Sequence, residues 1–386
     1  MPLLCRSEAV LALLCLLACD PIGNARDTAA ADASDGVQRD AGSDAGSALW
    51  LPWPAEPLPQ VIEPSDNRSS EAKRLLGRLL FYDPILSRDN ATACVTCHSE
   101  VWGLSDQLPR SVGIEGKGPI GPGRSGVHMT RRNSPALWNV ALRETLFWDG
   151  RVASLEEQAL KPLESPEELA IPVADAVTAV AAIDAYGPLF RSAFPNAEPA
   201  VSAEHVAQAL SVFVRAFVSD RAPYDQYLRG DALAMSAADK RGMALFAEQG
   251  CAACHVPPRF ESDQYVDRHV PNPEGIVDDG RFEHTAQAAD RAAFRVPTLR
   301  NLRFSPPYFH NGAVLLFEDA VAHELAEQVA AGKARALEPD ELADLIGFLR
   351  RSLVDISREQ YRPDAVPSGL AIPEDGDRLV RGVHAD

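Results

Sequence analysis

The sequence predicts an all-α fold built as two successive units packed against each other. Three observations predict it. Apolar residues recur at helical spacing in four separate stretches, and no stretch shows sustained strand alternation. A C-x-x-C-H motif occurs twice, each time with a helical stretch just upstream and a long Pro/Gly-rich loop downstream. A polar break at residues 230–236 separates two halves of similar plan.

The first helix is expected over residues 70–82, with Leu75, Leu76, Leu79 and Leu80 on one face and a serine cap followed by Glu71. The second, over 202–218, carries Val206, Leu210, Phe213 and Phe217. The third, over 236–249, opens with a serine cap and Asp239 and stops at Gly250. The fourth, over 338–353, has Pro339 in its first turn and Leu342, Leu345, Ile346 and Leu349 on one face. All four stripes are read as core.

Composition bounds the function. The chain has 386 residues, 46% hydrophobic and 24% charged, which excludes a multi-span membrane protein and a wholly disordered one. With 37 Lys+Arg against 55 Asp+Glu the formal charge is −18, so neither nucleic acid nor an anionic membrane surface is an expected partner. The 30 prolines suggest long structured loops. Seven cysteines are an odd number, and their positions decide the reading.

Three of them lie in an export segment. Arg6 precedes an apolar run from Ala9 to Ala18, too short to span a bilayer, which needs about 20 apolar residues. The run ends Leu16-Leu17-Ala18-Cys19, similar to a bacterial lipobox. Residues 1–18 are thus expected to be a signal peptide containing Cys5 and Cys15, with Cys19 lipidated; a plain secretory signal cut elsewhere is the alternative. Residues 19–60 are read as a flexible acidic, Pro-rich tether. Its reach is on the order of 35 Å. The expected location is the periplasmic side of the envelope, with membrane contact only through the lipid.

The other four cysteines form Cys94-Val-Thr-Cys97-His98 and Cys251-Ala-Ala-Cys254-His255. C-x-x-C-H is the attachment motif of c-type haem. Two thiols at this spacing reach the two vinyl groups of one porphyrin, and the next imidazole is held beneath the ring as the proximal iron ligand. A zinc ribbon would bring its pairs within about 15–20 residues, whereas these lie 157 apart. A thioredoxin-type site would need a βαβ context that the pattern lacks. Two covalently bound haems are therefore expected, in two cytochrome c-like domains, 61–232 and 233–365, followed by a tail, 366–386.

Residues 70–353 resemble the bacterial dihaem cytochrome c peroxidases, including the MauG-type enzymes. The motifs that carry the resemblance are Phe81-Tyr-Asp-Pro-Ile-Leu-Ser87, Arg132-Asn-Ser-Pro135, Phe147-Trp-Asp-Gly-Arg151 with Leu155-Glu-Glu-Gln158, Pro162-Leu-Glu-Ser-Pro-Glu-Glu168, and Val296-Pro-Thr-Leu-Arg-Asn301 with Pro307-Tyr-Phe-His-Asn-Gly312. The resemblance implies that the haem on His98 is peroxidatic. It places the acid–base glutamate at Glu168, ten residues after Gln158, and an inter-haem tryptophan at Trp148. Without the family, Glu168 reads as one surface acid in an acidic run and Trp148 as a buried aromatic. Asn133, Ser305 and Pro307 match positions around an interdomain Ca²⁺, with Ser305 in place of the more usual Thr.

Two departures stand out. The classical enzymes carry a switchable histidine where this chain has Ile114, sixteen residues after His98. An aliphatic side chain cannot ligate iron, so the first haem is expected to be open in every redox state; His128, in a Gly-rich segment, is a candidate substitute. The family's distal Met or Tyr on the second haem falls at Glu324, fourteen residues after His310, with His323 beside it. Either His323 or Glu324 is a candidate sixth ligand, with water or an open site as the alternatives; a nitrogen or anionic oxygen there lowers the reduction potential relative to a thioether.

The expected function is reduction of hydrogen peroxide to water, with electrons entering at the second haem from a cytochrome c or cupredoxin. The alternatives are a MauG-like enzyme oxidising side chains of a partner protein, and a dihaem electron carrier without catalysis. A homodimer is a further expectation.

Overall fold

A computed structural model describes residues 50–357 and 361–377. The signal segment, Cys19 and the tether up to residue 49 lie outside them. Among the described residues no single helix is long and apolar enough to cross a membrane.

Helices supply the cores. The first is built by α1 (Glu71–Tyr82), α2 (Cys94–Cys97), α3 (Leu155–Glu164), α4 (Val173–Ala181), α5 (Tyr186–Ala193) and α6 (Ala203–Arg215). α1 starts where Ser70 Oγ accepts the Lys73 amide, and α6 where Ser202 Oγ accepts the His205 amide. They pack face to face through Leu76, Leu80, Phe81, Val206, Leu210 and Phe213, all buried. The second core is built by α7 (Pro223–Leu228), α8 (Ala237–Glu248), α9 (Phe282–Thr285), α10 (Phe317–Ala330) and α11 (Pro339–Gly347), of which α9 stays peripheral; a π-helical turn, Phe348–Ser352, continues α11. One antiparallel ribbon, β1 (Tyr265–Val266) with β2 (Phe294–Arg295), pairs Tyr265 with Arg295 and Val266 with Phe294. Helix therefore predominates.

The two main helix pairs share one device. A Cβ at Gly77 of α1 would stand 1.9 Å from the Ala209 carbonyl oxygen of α6, and one at Gly242 of α8 would stand 2.0 Å from the Asp344 carbonyl oxygen of α11. Only a bare backbone lets either pair close. The same solution at the same place in each half is the structural trace of the repeated plan.

The helices expected at 70–82 and 236–249 match α1 and α8. The one expected to reach Val218 stops at Arg215, where the chain turns to bring Phe217 into the core, and the one expected over 338–353 becomes π-helical after Gly347. The domain limits need three corrections. α7 belongs with the second core: its Asp225 makes a buried ion pair with Arg300, 2.8 Å, so the changeover lies between Phe217 and Tyr224 rather than at 232. The tether is not free to residue 60. Trp53 donates to the Tyr224 hydroxyl, 2.8 Å, and packs edge-on against Phe246 and Phe260 of the second core. Residues 361–365, expected in the second domain, and 366–377 of the expected tail return to the first: Tyr361 and Val366 enter its core, Ser368 donates to the fully buried Asp83, 2.6 Å, and Ile120 exchanges hydrogen bonds with Glu374 and Gly376. Each end of the described residues is thus fastened to the core it does not adjoin in sequence.

Gly242→Ala is expected to destabilise by about 1–3 kcal/mol through overpacking, a drop of several degrees in Tm. Gly187→Ala on α5, where the added methyl meets only the tip of Arg191 at 3.3 Å, is expected to be neutral. Thermal unfolding of the two variants checks this; equal losses would contradict the close-packing account.

Candidate functional site

α2 sets Cys94 and Cys97 on one side of a single turn. His98 follows at its C-terminus and lines a cavity of about 530 Å³ with both thiols. Its Nδ1 lies 3.2 Å from the Leu104 carbonyl oxygen, so Nδ1–H donates and Nε2 is left facing the cavity. Leu104 is held at φ +60° in a loop closed by hydrogen bonds between Ser99 and Ser105 and between Leu104 and Ser99. The second motif repeats the arrangement. His255 Nδ1 lies 3.2 Å from the Phe260 and 3.1 Å from the Pro297 carbonyl oxygens, and Phe260 also has a positive φ, +54°. His255, Cys251 and Cys254 line a tighter cavity of about 200 Å³.

Burial pushes His98 down to about 4, which keeps the imidazole neutral and ready to ligate. It pushes the Cys94 and Cys251 thiols up to about 12. Neutral sulfur is what a thioether presents, whereas a zinc site would favour thiolates.

The two cavities share a wall. Asn133, Pro135, Arg143, Trp148 and Arg295 line both. Trp148 is buried; its Nε1 donates to the Asn133 carbonyl, 2.9 Å, and its ring meets His310 edge-on. Asp149 beside it accepts from Arg132, 2.7 Å, and from Arg151. Burial works to raise the Asp149 carboxyl, but the two guanidiniums hold it below its ordinary value.

The wall also carries unbalanced charge. Buried Glu261 faces Arg143, 3.0 Å, Arg295, 3.7 Å, and Arg259, 3.9 Å, so three guanidiniums meet one carboxylate, and Arg295 Nε is buried with no partner. Burial pushes Arg295 down to about 9. A buried guanidinium nitrogen without a partner, on a wall of both cavities, fits a group that brings its own carboxylates, as the haem propionates would. The residues present therefore fit two c-type haems.

Glu168 lines the first cavity together with Gln158 and Arg151. Burial raises its carboxyl, against the lowering effects of Ser165 and Arg151. Ile114 is fully buried and does not line that cavity, and Gly113 beside it lies directly against the backbone of Glu167 and Glu168. The segment that could carry a switchable ligand serves here as a brace for Glu168. His128 does not line the cavity either; its Nε2 stands 3.6 Å from Glu115. Exposed His284 of α9 stands at the mouth.

In the second cavity Glu324 is a lining residue and His323 is not. His323 Nε2 instead donates to the Arg268 carbonyl, 2.8 Å. Asn133, Ser305 and Pro307 are among the residues that line this cavity. Asn133 is also tied to Leu108 and His310 by backbone and side-chain hydrogen bonds. Arg143 and Arg295 were not foreseen from the sequence. Arg295 immediately precedes the Val296-Pro-Thr-Leu-Arg-Asn301 motif, and its position in a strand end facing two attachment sites was the available signal.

Two Cys-Cys-His sites on cavities with a common wall define a dihaem c-type protein. The family model for di-haem cytochrome c peroxidase matches residues 71–233. The chain is 36% identical to cytochrome c551 peroxidase of Pseudomonas aeruginosa over 319 residues, 81% of this chain and 86% of that protein. It is also 36% identical to the methylamine utilization protein MauG of Methylorubrum extorquens over 300 residues, 75% and 80% of the two chains. A solved MauG-like protein associated with microbial copper homeostasis superposes with a TM-score of 0.67 at 27% identity, covering 80% of this chain and 97% of that one. The chain belongs to the di-haem cytochrome c peroxidase family, and haem c is its cofactor.

Proposed function

We propose that this protein is a peroxidase in which the two sites work in series: hydrogen peroxide is reduced at the His98 site with electrons that a small redox protein delivers to the His255 site. The family and the named cytochrome c peroxidases among its relatives support that class of reaction. The observation that carries the direction of flow is the asymmetry of the two cavities. The first is roomy, about 530 Å³, and holds the buried Glu168, whose carboxyl burial raises; the second is tight, about 200 Å³, and its Glu324 is ion-paired with Arg268.

Bound haem would supply the iron and the electrons that peroxide receives. The chain's own residues supply the rest. The Leu104 carbonyl holds His98 so that its Nε2 would ligate the iron. Glu168 accepts a proton from the near oxygen of H₂O₂ and returns it to the far oxygen, so that the O–O bond breaks with water as the leaving group. Two electrons and two protons complete the conversion to two waters. Gln158 and Arg151 orient the peroxide and the carboxylate. Trp148 lies on the path by which electrons pass from the second site to the first.

A second reading keeps the chemistry and changes the electron source: oxidation of side chains on a partner protein, as the MauG relatives suggest. Ile114 favours it, because a first site without a switchable ligand needs no reductive activation. Rapid steady-state turnover with H₂O₂ and a reduced cytochrome c or cupredoxin supports the first reading; negligible turnover supports the second.

Asn133, Ser305 and Pro307 are the proposed Ca²⁺ ligands, all through hard oxygen. Chelation is expected to lower turnover and added Ca²⁺ to restore it; an activity indifferent to both would remove calcium from the account. We further place the enzyme in the periplasm, anchored by lipid on Cys19. Cys19→Ala is expected to release it into the soluble fraction, and an unchanged membrane fraction would contradict the anchor. A homodimer is proposed on the family resemblance alone; light scattering of the holoprotein decides it.

Glu168→Gln is expected to lower kcat/KM for peroxide by about 10²–10⁴-fold. Because burial raises this carboxyl above 4.5, its proton-accepting form is lost as pH falls through the raised value. The wild-type acid limb should therefore lie above 4.5 and vanish in the variant. A variant with wild-type kcat/KM and an unaltered acid limb would exclude Glu168 as the base.

A further inference from the structure

α10 presents one face to the second cavity: Phe317, Ala320, Val321, Glu324, Leu325 and Gln328. These positions repeat at three- and four-residue steps, so they form one continuous stripe. His323 is one residue, and so about 100° of helix, away from Glu324; it does not line the cavity, and its Nε2 faces the Arg268 carbonyl instead. Helix phase therefore disfavours the bis-histidine alternative.

Glu324 is held from one side only. Arg268 donates through Nε, 2.9 Å, and lies within 2.7 Å through Nη2, both at the same oxygen, Oε2; Nη2 also reaches the Glu324 carbonyl, 3.3 Å. Among the described residues, Oε1 has no hydrogen-bond partner. Glu324 lines the same cavity as Cys251, Cys254 and His255. His310 and Tyr308 also line this cavity but lie off the α10 stripe: His310 lies flat on Phe294, ring centroids 3.6 Å apart, and Tyr308 packs edge-on against Phe317.

We propose that Glu324 Oε1 is the sixth ligand of the iron in the second haem, with Arg268 fixing the carboxylate through Oε2. The inference rests on the dihaem reading above. An anionic oxygen favours the ferric state, so the second haem has a lower reduction potential than a thioether-ligated one. Arg268 partly offsets that charge and sets the angle at which Oε1 points. Arg268 is a positioning residue.

The test uses the full holoprotein and its E324M, E324A, R268Q and H323A variants, each first weighed by mass spectrometry of the denatured chain for two covalent haems. Optical and EPR spectra and a redox titration then read the second haem. E324M is expected to gain a methionine-to-iron charge-transfer band and a higher second-haem potential. E324A is expected to open the second iron to added imidazole, which the wild type excludes. R268Q is expected to shift the potential and weaken the ligation, and H323A to change nothing. Unchanged second-haem spectra and potential in both E324M and E324A would overturn the assignment, and so would an H323A variant that behaves as E324A was expected to. A wild-type chain with fewer than two covalent haems would instead overturn the dihaem reading itself, and this inference with it.

Discussion

Two cavities built against one wall are the constraint on which the rest of this structure depends. Trp148, Asn133, Pro135, Arg143 and Arg295 face both sites. A wall one side chain thick cannot tolerate independent movement of the domains it separates. The long-range contacts answer that need. Trp53 is pinned to the second core before the first is built, and residues 361–377 return to the first core after the second is complete. Asp83 shows how closely this is drawn. Fully buried, it caps the turn after α1 and accepts hydrogen bonds from Tyr186, 2.7 Å, and from Ser368, 2.6 Å. One carboxylate thus ties a motif aspartate, the first core and the returning strap.

The same wall sets the electrostatics. Arg132 and Arg151 meet Asp149, Arg132 also meets Asp278 and Glu283, and Arg143 and Arg295 meet Glu261, within a chain whose formal charge is −18. Arg295 Nε is buried without a partner, which is costly unless something anionic completes it. A haem propionate would do so.

What could be read from the sequence was whatever is local. The attachment motifs, the helix caps at Ser70, Ser202 and Ser236, and the order of motifs around Glu168 and Trp148 are short-range patterns with direct physical meaning. What could not be read was long-range. Nothing near Trp53 says that its partner is Tyr224, and nothing near Tyr361 says that it packs on Phe213 and Phe217. The second distal position is an intermediate case. Phe317, Val321, Glu324 and Gln328 already fall on one helical face in the sequence, and that phase separates Glu324 from His323 before any side chain is placed. Ile114 was legible as a lost ligand, but its neighbour Gly113 as the brace of Glu168 was not, because the brace is a tertiary contact.

The central claim is that Trp148 joins the two sites into one electron path. Stopped-flow mixing of the fully reduced holoprotein with H₂O₂, wild type against Trp148→Phe, tests it most directly by following each haem separately. The account predicts that the first haem is oxidised at an unchanged rate in the variant while oxidation of the second is markedly slowed. Oxidation of the second haem at the wild-type rate in the variant would contradict it.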